Sequence, residues 1–260
     1  MSDTMSGPAL PDAFLRVPLA HRAYHDKTDR RPENSRAAFG AAIEAGYGIE
    51  CDVQLTADNE AVVFHDYDLG RLTGERGPVR GRSAAELARI ALTHGDETIP
   101  TLHQMLELVG GRVPLLIEVK DQDGAMGPDV GPLEHAVANA LAGYGGPVAL
   151  MSFNPHSVAA LAQAAPNHPR GITTCGYNAA DWPLLPEVTR AKLRTIPDYS
   201  DVGASFISHG WKDLQDPRVA ELKATGAKVL CWTIRSTSDE TAARRVADNI
   251  TFEGYDAALP

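Results

Sequence analysis

Two pairs of charged residues stand where short apolar runs of the sequence end. Glu50 and Asp52 flank one cysteine, and Glu118 and Lys120 flank one valine. Because side chains alternate between the two faces of a β-strand, Glu50 and Asp52 point the same way, as do Glu118 and Lys120. The residue between each pair is apolar and faces the opposite side. This spacing predicts that the charged pairs face one shared interior.

Three carboxylates that converge in one interior repel one another. At about 4 Å and an effective dielectric near 20, each pair costs roughly 4 kcal/mol. A bound divalent cation removes this cost, and oxygen ligands favour a hard ion, Mg²⁺ or Ca²⁺. The alternative is that one carboxylate pairs with Lys120 or Arg22 while another is protonated or solvated. We expect Glu50, Asp52 and Glu118 to bind one divalent cation.

Two histidines are candidates for proton transfer. His21 closes the first predicted strand and His65 ends a later apolar run. An imidazole titrates close to neutral pH, although a single histidine at a strand end is more often a plain polar contact. Arg22 offers a planar fork of donors and Lys120 a point charge, and both suit phosphate oxygens. The whole set therefore indicates chemistry on a tetrahedral anion.

The elements that must position these residues alternate between strand and helix, which is typical of a parallel sheet built from βα units. The predicted strands are Phe14–Ala20, Tyr47–Val53, Val113–Val119, Val148–Phe153, Gly171–Cys175, Ala204–Ser208, Lys228–Ile234 and Asn249–Phe252. The predicted helices are Ser35–Ala45, Thr101–Val109, Leu133–Leu141, Pro155–Gln163, Glu187–Leu193, Val219–Ala224 and Ser238–Ala247. Eight strands with seven intervening helices predict an α/β fold, a TIM-type (β/α)₈ barrel. An open doubly wound sheet is the alternative, but such sheets usually have fewer strands.

One further run, Ala61–His65, interrupts the alternation. It follows the strand ending near Val53 too closely for a parallel crossover, which needs about a dozen residues or more. We therefore predict a small insertion after strand 2, at about residues 55–100, that begins with a hairpin. Insertions at this point lie over the C-terminal mouth of a barrel, where barrel active sites are found. The whole chain, 1–260, is expected to form a single catalytic domain.

Composition excludes several classes of function. The 260 residues are 43% hydrophobic and 22% charged, which suffices for a core without disulfides. The net charge of -10 argues against a nucleic-acid partner and against stable association with an anionic membrane. Three widely spaced cysteines, Cys51, Cys175 and Cys231, suggest reduced thiols. With no recognisable secretion signal or long apolar run, the expected location is cytoplasmic.

The order of the short motifs resembles the glycerophosphodiester phosphodiesterase family. In chain order the matching fragments are His21-Arg22, Pro32–Ser35, Phe39, Glu50-x-Asp52-Val53, Thr56-x-Asp58, Val62-x-x-His65-Asp66, Arg71–Thr73, Glu118-x-Lys120, Ser152-Phe153 and Trp232-Thr233. Each fragment alone is weak. Together, in the same order and at the same spacing, they extend the resemblance over nearly the whole chain.

This resemblance implies a barrel with the insertion, one Ca²⁺ or Mg²⁺ ion, and hydrolysis of glycerophosphodiesters to sn-glycerol 3-phosphate and an alcohol. Carried over residue by residue, it implies metal ligands at Glu50, Asp52 and Glu118, an acid–base pair at His21 and His65, phosphate contacts at Arg22 and Lys120, supporting residues at Glu33 and Asn34, and a substrate pocket walled by Trp232 and Phe153. Two plainer roles remain open. Capping of the following helix is sufficient for Asn34 or Ser35, and core packing is sufficient for Trp232.

In the implied mechanism one histidine deprotonates the nucleophile and the other protonates the leaving alcohol. We expect His21 as the acid and His65 as the base, with water or the substrate's own 2-hydroxyl as the nucleophile. One alternative is a lyase that stops at the cyclic phosphate, as in the related phospholipase D toxins. Another is a barrel that only binds phosphodiesters. A barrel aldolase or isomerase could use Lys120 but leaves both histidines unexplained.

Three positions depart from the family pattern. Ala23 replaces a glycine, Thr251-Phe252 replaces a threonine–aspartate pair, and Arg235 replaces an asparagine. Arg235 is expected either to contact an anionic headgroup or to be solvated. His209, which also closes a strand at the mouth, is a further candidate for support of the site, outside the main set. These departures leave the alcohol preference and the oligomeric state open.

Overall fold

A computed structural model of the chain describes residues 7–260 and contains a closed barrel of eight parallel strands. The strands are β1 (Leu19–Ala20), β2 (Gly48–Leu55), β3 (Ala61–Val63), β4 (Leu115–Val119), β5 (Val148–Ser152), β6 (Arg170–Thr174), β7 (Phe206–Gly210), β8 (Lys228–Ile234) and β9 (Asn249–Phe252). All except β3 form the barrel, and β1 closes it by pairing with both β2 and β9. The predicted (β/α)₈ fold is confirmed.

Helices surround the barrel. They are α1 (Ala13–Arg16), α2 (Arg36–Ala45), α3 (Ala84–Leu87), α4 (Leu102–Val109), α5 (Pro132–Ala140), α6 (Pro155–Ala164), α7 (Glu187–Arg194), α8 (Pro217–Ala224) and α9 (Thr237–Ala243). The seven predicted helices are present, with ends shifted by up to a few residues. Ser35 and Thr101 begin α2 and α4 by accepting a hydrogen bond from a backbone N–H of the first turn. Among residues 7–260, no helix combines the length and apolarity needed to cross a membrane.

The segment after β2 has its own small core. Strand β3 runs antiparallel to β2, with Val53 opposite Val63, so it is not a barrel strand. The apolar cluster of this segment consists of Val62, Phe64, Leu69, Leu72, Val79, Leu87, Ile90, Leu92 and Ile99. These contacts hold the segment, and His65 within it, beside the mouth of the barrel. The single-domain organisation over 1–260 stays a prediction.

One predicted strand was wrong. The run Phe14–Ala20 is not a single strand, because Ala13–Arg16 is helical and only Leu19–Ala20 pairs in the sheet. Phe14 is fully buried and packs with Leu19 inside the lower end of the barrel. Asn249 donates hydrogen bonds to the carbonyls of Phe14 and Val17 and fixes the turn between helix and strand. A short buried apolar run does not distinguish helix from strand by its periodicity.

The barrel interior changes from apolar to polar along the strands. Its lower layers consist of Leu19, Leu116, Ala149, Met151, Phe206 and Leu230, together with Leu10 and Phe14. The alternate residues of the same strands, such as Cys51 and Ile117, face outward and pack in the cluster beneath the helices. The charged pairs therefore face the interior above an apolar floor, as the alternation predicts.

Candidate active site

A cavity of about 500 Å³ lies at the C-terminal ends of the barrel strands, which we call the mouth. Its two sides differ in chemistry. The charged side, from β1, β2, β4 and the segment after β2, contributes His21, Arg22, Glu50, Asp52, His65, Glu118 and Lys120. The opposite side, from β5 to β8, contributes Phe153, Thr173, Ser208 and Trp232, with Tyr177 and Trp182 from the loop after β6. The structure thus brings together every residue predicted for catalysis, metal binding, phosphate contact and the substrate pocket.

The three carboxylates form one buried cluster. One oxygen from each of Glu50, Asp52 and Glu118 lies within 4.8 Å of the others. Burial, and next the charges of Asp52 and Glu118, raise the pKa of Glu50 well above its ordinary value. Burial alone would also raise the pKa of Asp52, but the charges of Lys120 and His65 hold it below its usual range. The buried site therefore disfavours the charged form of Glu50.

The two basic residues of the charged side are tied to the carboxylates. Lys120 Nζ lies 2.8 Å from an oxygen of Asp52 and 2.6 Å from an oxygen of Glu118. The Arg22 side chain donates to Glu33 at 2.8 Å, and its backbone N–H donates to Glu50 at 2.9 Å. The alternative of pairing with Lys120 or Arg22 is thus realised for Asp52 and Glu118. Glu50 receives only the Arg22 backbone N–H among the described hydrogen bonds.

Asn34 and Ser35 have separate tasks. Ser35 begins α2 by accepting a hydrogen bond from the N–H of Ala38 at 3.1 Å. Asn34 instead donates from Nδ2 to Asp52 at 3.0 Å, and its N–H donates to the carbonyl of Arg22 at 2.8 Å. Helix capping therefore belongs to Ser35, whereas Asn34 fixes the orientation of a carboxylate in the cluster.

His21 is held by a residue that the sequence did not reveal. Its Nδ1 donates to Glu253 Oε2 at 2.6 Å, and the other carboxylate oxygen of Glu253 accepts from Arg235 Nε at 2.7 Å. Burial lowers the pKa of His21, and the hydrogen bond to Glu253 offsets only part of that effect. The neutral ring therefore presents its unprotonated Nε2 to the cavity. Arg235, expected at a headgroup or in solvent, pairs with Glu253.

His65 has a similar carboxylate behind it. Its Nδ1 lies 2.6 Å from Asp66 Oδ1, and Asp66 also accepts from Arg71 Nε at 2.6 Å. Arg71 donates two further bonds to Glu33, at 2.8 and 2.9 Å. Glu33 thereby links Arg71 to Arg22 and connects the segment after β2 with the end of β1. Both histidines are oriented by carboxylates that are themselves fixed by arginines.

An aromatic wall forms the opposite side of the cavity. The rings of Phe153 and Trp232 meet edge to face with centroids 5.5 Å apart, and Trp182 lies 5.0 Å from Phe153. Trp232 Nε1 donates to the carbonyl of Ser208 at 2.9 Å, which fixes the plane of the indole. Trp182 and Tyr177 were not predicted here, because their loop carries no motif. The only indication in the sequence was that the segment CGYNAADW, which follows a predicted strand, contains two aromatic residues.

His209 does not face the cavity. It follows Ser208 in β7, so its side chain points to the opposite face, and the cavity lining includes Ser208 but not His209. It is 2% exposed, and neither ring nitrogen has a hydrogen-bond partner among the described residues. Burial lowers the pKa of His209. Among residues 7–260 it therefore has no side-chain hydrogen bond to a residue of the cavity.

The donor set fits one divalent cation. The cluster offers three carboxylates against the charges of Lys120 and Arg22, and Arg22 is shared with Glu33. Burial, and next the charges of Asp52 and Glu118, raise the pKa of Glu50, and a bound cation would favour its charged form. Carboxylate oxygens are the ligands that hard cations prefer. The residues present thus match the site that the sequence predicts.

Fold and site together define a (β/α)₈-barrel enzyme with its chemistry at the C-terminal mouth. The chain belongs to the glycerophosphoryl diester phosphodiesterase family, whose model matches residues 21–251. A glycerophosphodiester phosphodiesterase of Caldanaerobacter subterraneus subsp. tengcongensis is 32% identical over 85% of this chain and 86% of that protein. A probable glycerophosphodiester phosphodiesterase 1 of Mycobacterium tuberculosis is 27% identical over 88% and 85%.

Solved structures show the same fold. A phosphodiesterase of Oleispira antarctica, in complex with the product sn-glycerol 3-phosphate, superposes with a TM-score of 0.73 at 24% identity. It covers 91% of this chain and 93% of its own. A putative glycerophosphodiester phosphodiesterase of Galdieria sulphuraria has a TM-score of 0.72 at 19% identity, with 91% and 94% covered. The expectation of a glycerophosphodiester phosphodiesterase built on a TIM-type barrel is confirmed.

Proposed function

We propose that the chain hydrolyses small glycerophosphodiesters to sn-glycerol 3-phosphate and an alcohol, with one divalent cation at Glu50, Asp52 and Glu118. The observation that carries this proposal is one cavity in which the buried carboxylate cluster faces two carboxylate-oriented histidines. The names of the relatives and the product held by the Oleispira antarctica enzyme support the same reaction. The free thiols of Cys51, Cys175 and Cys231 support a cytoplasmic location.

Phosphate binding is assigned to Arg22 and Lys120. Both line the cavity, and Lys120 lies between the carboxylates of Asp52 and Glu118. The Arg22 fork is positioned by Glu33, so it reaches the phosphate with little loss of side-chain freedom. A divalent cation, when bound, supplies Lewis-acid charge for the phosphate oxygens. The basic side chains then neutralise the remaining charge of the phosphodiester.

Proton transfer is assigned to His21 and His65. The lowered pKa of His21 leaves its ring neutral at neutral pH, which is the form that accepts a proton. We therefore propose His21 as the base and His65 as the acid for the leaving oxygen, the reverse of the order expected from sequence. Glu253 and Asp66 hold the two rings by Nδ1, so each ring presents Nε2 to the substrate. The nucleophile is either water or the 2-hydroxyl of the glycerol.

The experiment is release of sn-glycerol 3-phosphate from a panel of glycerophosphodiesters by the purified full chain. It is run with Mg²⁺, with Ca²⁺ and with EDTA, and phosphorus NMR identifies the product. We expect release that EDTA abolishes, and a loss of about 100-fold in Glu50→Gln, because this change removes one of three cation ligands. Glu60→Gln is the matched control, since Glu60 is exposed and outside the cavity.

Other outcomes would replace this proposal. A cyclic phosphate as the final product would identify the lyase. Cation binding by calorimetry without turnover of any diester would favour the binding barrel. Turnover that is indifferent to EDTA and to Glu50→Gln would contradict the assignment of the carboxylate cluster.

A further inference from the structure

Two buried hydroxyls face the cavity from the side opposite the carboxylates. Thr173 on β6 and Ser208 on β7 line the cavity, and they are 1% and 0% exposed. The hydroxyl oxygen of each lacks a hydrogen-bond partner among residues 7–260. Thr251 on β9 has the same properties further around the lumen. Buried hydroxyls without a protein partner are uncommon, and a cluster of them at a cavity indicates a ligand that supplies the partner.

The two hydroxyls are neighbours. Thr173 and Ser208 occupy directly paired positions of the parallel strands β6 and β7, and both point into the lumen. Side chains at paired positions of adjacent strands are close enough to act on one small group. The Ser208 carbonyl also accepts the Trp232 indole N–H, so the aromatic wall is fixed relative to this hydroxyl pair.

The barrel order places this pair across the lumen from the chemistry. Going around the closed sheet, β6 and β7 stand four strands on from β1 and β2. Thr173 and Ser208 therefore lie opposite His21 and the Glu50–Asp52 pair. An eight-stranded barrel has an interior only wide enough for side chains or one small ligand. A ligand with its phosphodiester at the charged side extends its far end toward the two hydroxyls.

We propose that Thr173 and Ser208 bind the terminal hydroxyl of the substrate's glycerol and so select substrates with a free glycerol over their acylated counterparts. The inference rests on the proposed function and names its specificity-determining residues. A hydroxyl both donates and accepts, so one ligand hydroxyl satisfies both protein hydroxyls. An ester oxygen at that position has no proton to donate, and its acyl chain needs space beside two fully buried side chains. A site built to bind a hydroxyl rejects analogues that lack it more strongly than an apolar pocket does.

The test is a double-mutant-type cycle in which a protein hydroxyl and a ligand hydroxyl are removed singly and together. Thr173→Val and Ser208→Ala remove the protein groups at nearly constant volume. The ligands are glycerophosphocholine and its 1-deoxy analogue, which keeps the 2-hydroxyl, and kcat/KM is measured for each pair. We expect the unaltered chain to prefer glycerophosphocholine by about 100-fold, and each variant to lose about tenfold of that preference. The 1-acyl derivative is expected to be a poor substrate of the unaltered chain.

Thr174→Val supplies the matched control. Thr174 is also fully buried, and its hydroxyl too lacks a partner among the described residues, but it does not line the cavity. This variant is expected to keep the full preference. Equal losses on both ligands in Thr173→Val and Ser208→Ala would overturn the inference, because the hydroxyls would then act only through the shape of the cavity.

Binding of the product separates this inference from the proposed function. Calorimetry with sn-glycerol 3-phosphate and with its 1-deoxy analogue needs no turnover. Thr173→Val should weaken the first about tenfold and leave the second unchanged. If the unaltered chain hydrolyses no diester, the proposed function fails, and the calorimetry still decides the hydroxyl site. Equal affinity of the unaltered chain for both phosphates would overturn the site even in an active enzyme.

Discussion

The two sides of the cavity differ in how their polar groups are hydrogen-bonded. On the charged side, polar groups are fixed by one another, as in the chain from Arg22 through Glu33 to Arg71 and Asp66. On the opposite side, the hydroxyls of Thr173 and Ser208 have no hydrogen-bond partner among residues 7–260 and lie beside aromatic rings. A network that is already paired is preorganised for chemistry, whereas unpaired groups are satisfied by the ligand. Changes on the first side should therefore lower kcat, and changes on the second should raise KM.

The largest effect is expected at the two histidines. His21→Ala and His65→Ala should each lower kcat at least ~100-fold, since acid–base catalysis contributes about that much or more. Steady-state kinetics with glycerophosphocholine measures the change. His103→Ala, at an exposed position in α4, is the matched control and should leave kcat unchanged. A loss below tenfold in either variant, with folding verified by circular dichroism, would contradict its role in proton transfer.

Glu253→Gln should lower kcat about 10- to 100-fold, because a positioning carboxylate behind a histidine contributes that much. It also tests the role of His21. Glu253 raises the pKa of His21 by hydrogen bond and charge, so its neutralisation should lower that pKa further. If His21 is the base, the acidic limb of the pH–kcat profile moves to lower pH. A shift of the alkaline limb to lower pH would instead make His21 the acid.

Arg235→Gln is the control for Glu253. It removes the cation that binds the far carboxylate oxygen but leaves the contact with His21 in place. We expect a smaller loss of kcat than in Glu253→Gln. An equal or larger loss would mean that Arg235 acts on the substrate directly, as the sequence alone allowed.

Trp232→Leu should raise KM about tenfold and leave kcat nearly unchanged, which would sharpen the contrast between the two sides. The indole is fixed against Ser208 and Phe153, and its loss removes apolar contact with the substrate. Trp211→Leu, at the rim of the same cavity, provides the comparison. A fall in kcat with unchanged KM would show that the wall acts in the chemical step and that the two sides are not separate.

The smallest effect is expected at His209, which adjoins the hydroxyl pair but faces away. Burial lowers the pKa of His209, so the unfolded chain binds a proton more readily than the folded one. Its contribution to the free energy of unfolding is therefore lost as the pH falls through about 6.5. Between pH 7 and pH 5, His209→Leu should lose less free energy of unfolding than the unaltered chain in urea unfolding. Equal losses would contradict this account.

The charged side was predictable because its residues are spaced two apart on their strands. Glu50 and Asp52 are two residues apart on a strand, as are Glu118 and Lys120, and alternation alone places them in the lumen. Glu253 was missed because the contact that reveals it joins residues 232 positions apart. Phe252 departs from the family pattern, but that departure gives no indication of the role of Glu253 beside it. Thr173 and Ser208 are ordinary residues in ordinary strands, and only the closed barrel shows that they are paired.

The alternation of strands and helices predicted the fold. The one wrong strand lies where that alternation begins. The run from Phe14 to Ala20 contains enough apolar residues for a strand, but Phe14 is needed inside the lower end of the barrel. The burial of Phe14 depends on the closed barrel, so the neighbouring sequence does not indicate it. Helix starts were better specified, because Ser35 and Thr101 satisfy backbone donors within their own first turns.

The contact between His21 and Glu253 also has a consequence for synthesis of the protein. A ribosome makes Glu253 232 residues after His21, and β1 acquires its second neighbour only when β9 is made. Nascent chains that already contain the whole carboxylate cluster still lack the partner of this imidazole. Catalytic competence should therefore appear late, after the barrel seam has closed. Turnover by this enzyme would then indicate that folding is complete. Chains that end before β9 and Glu253 should have no activity.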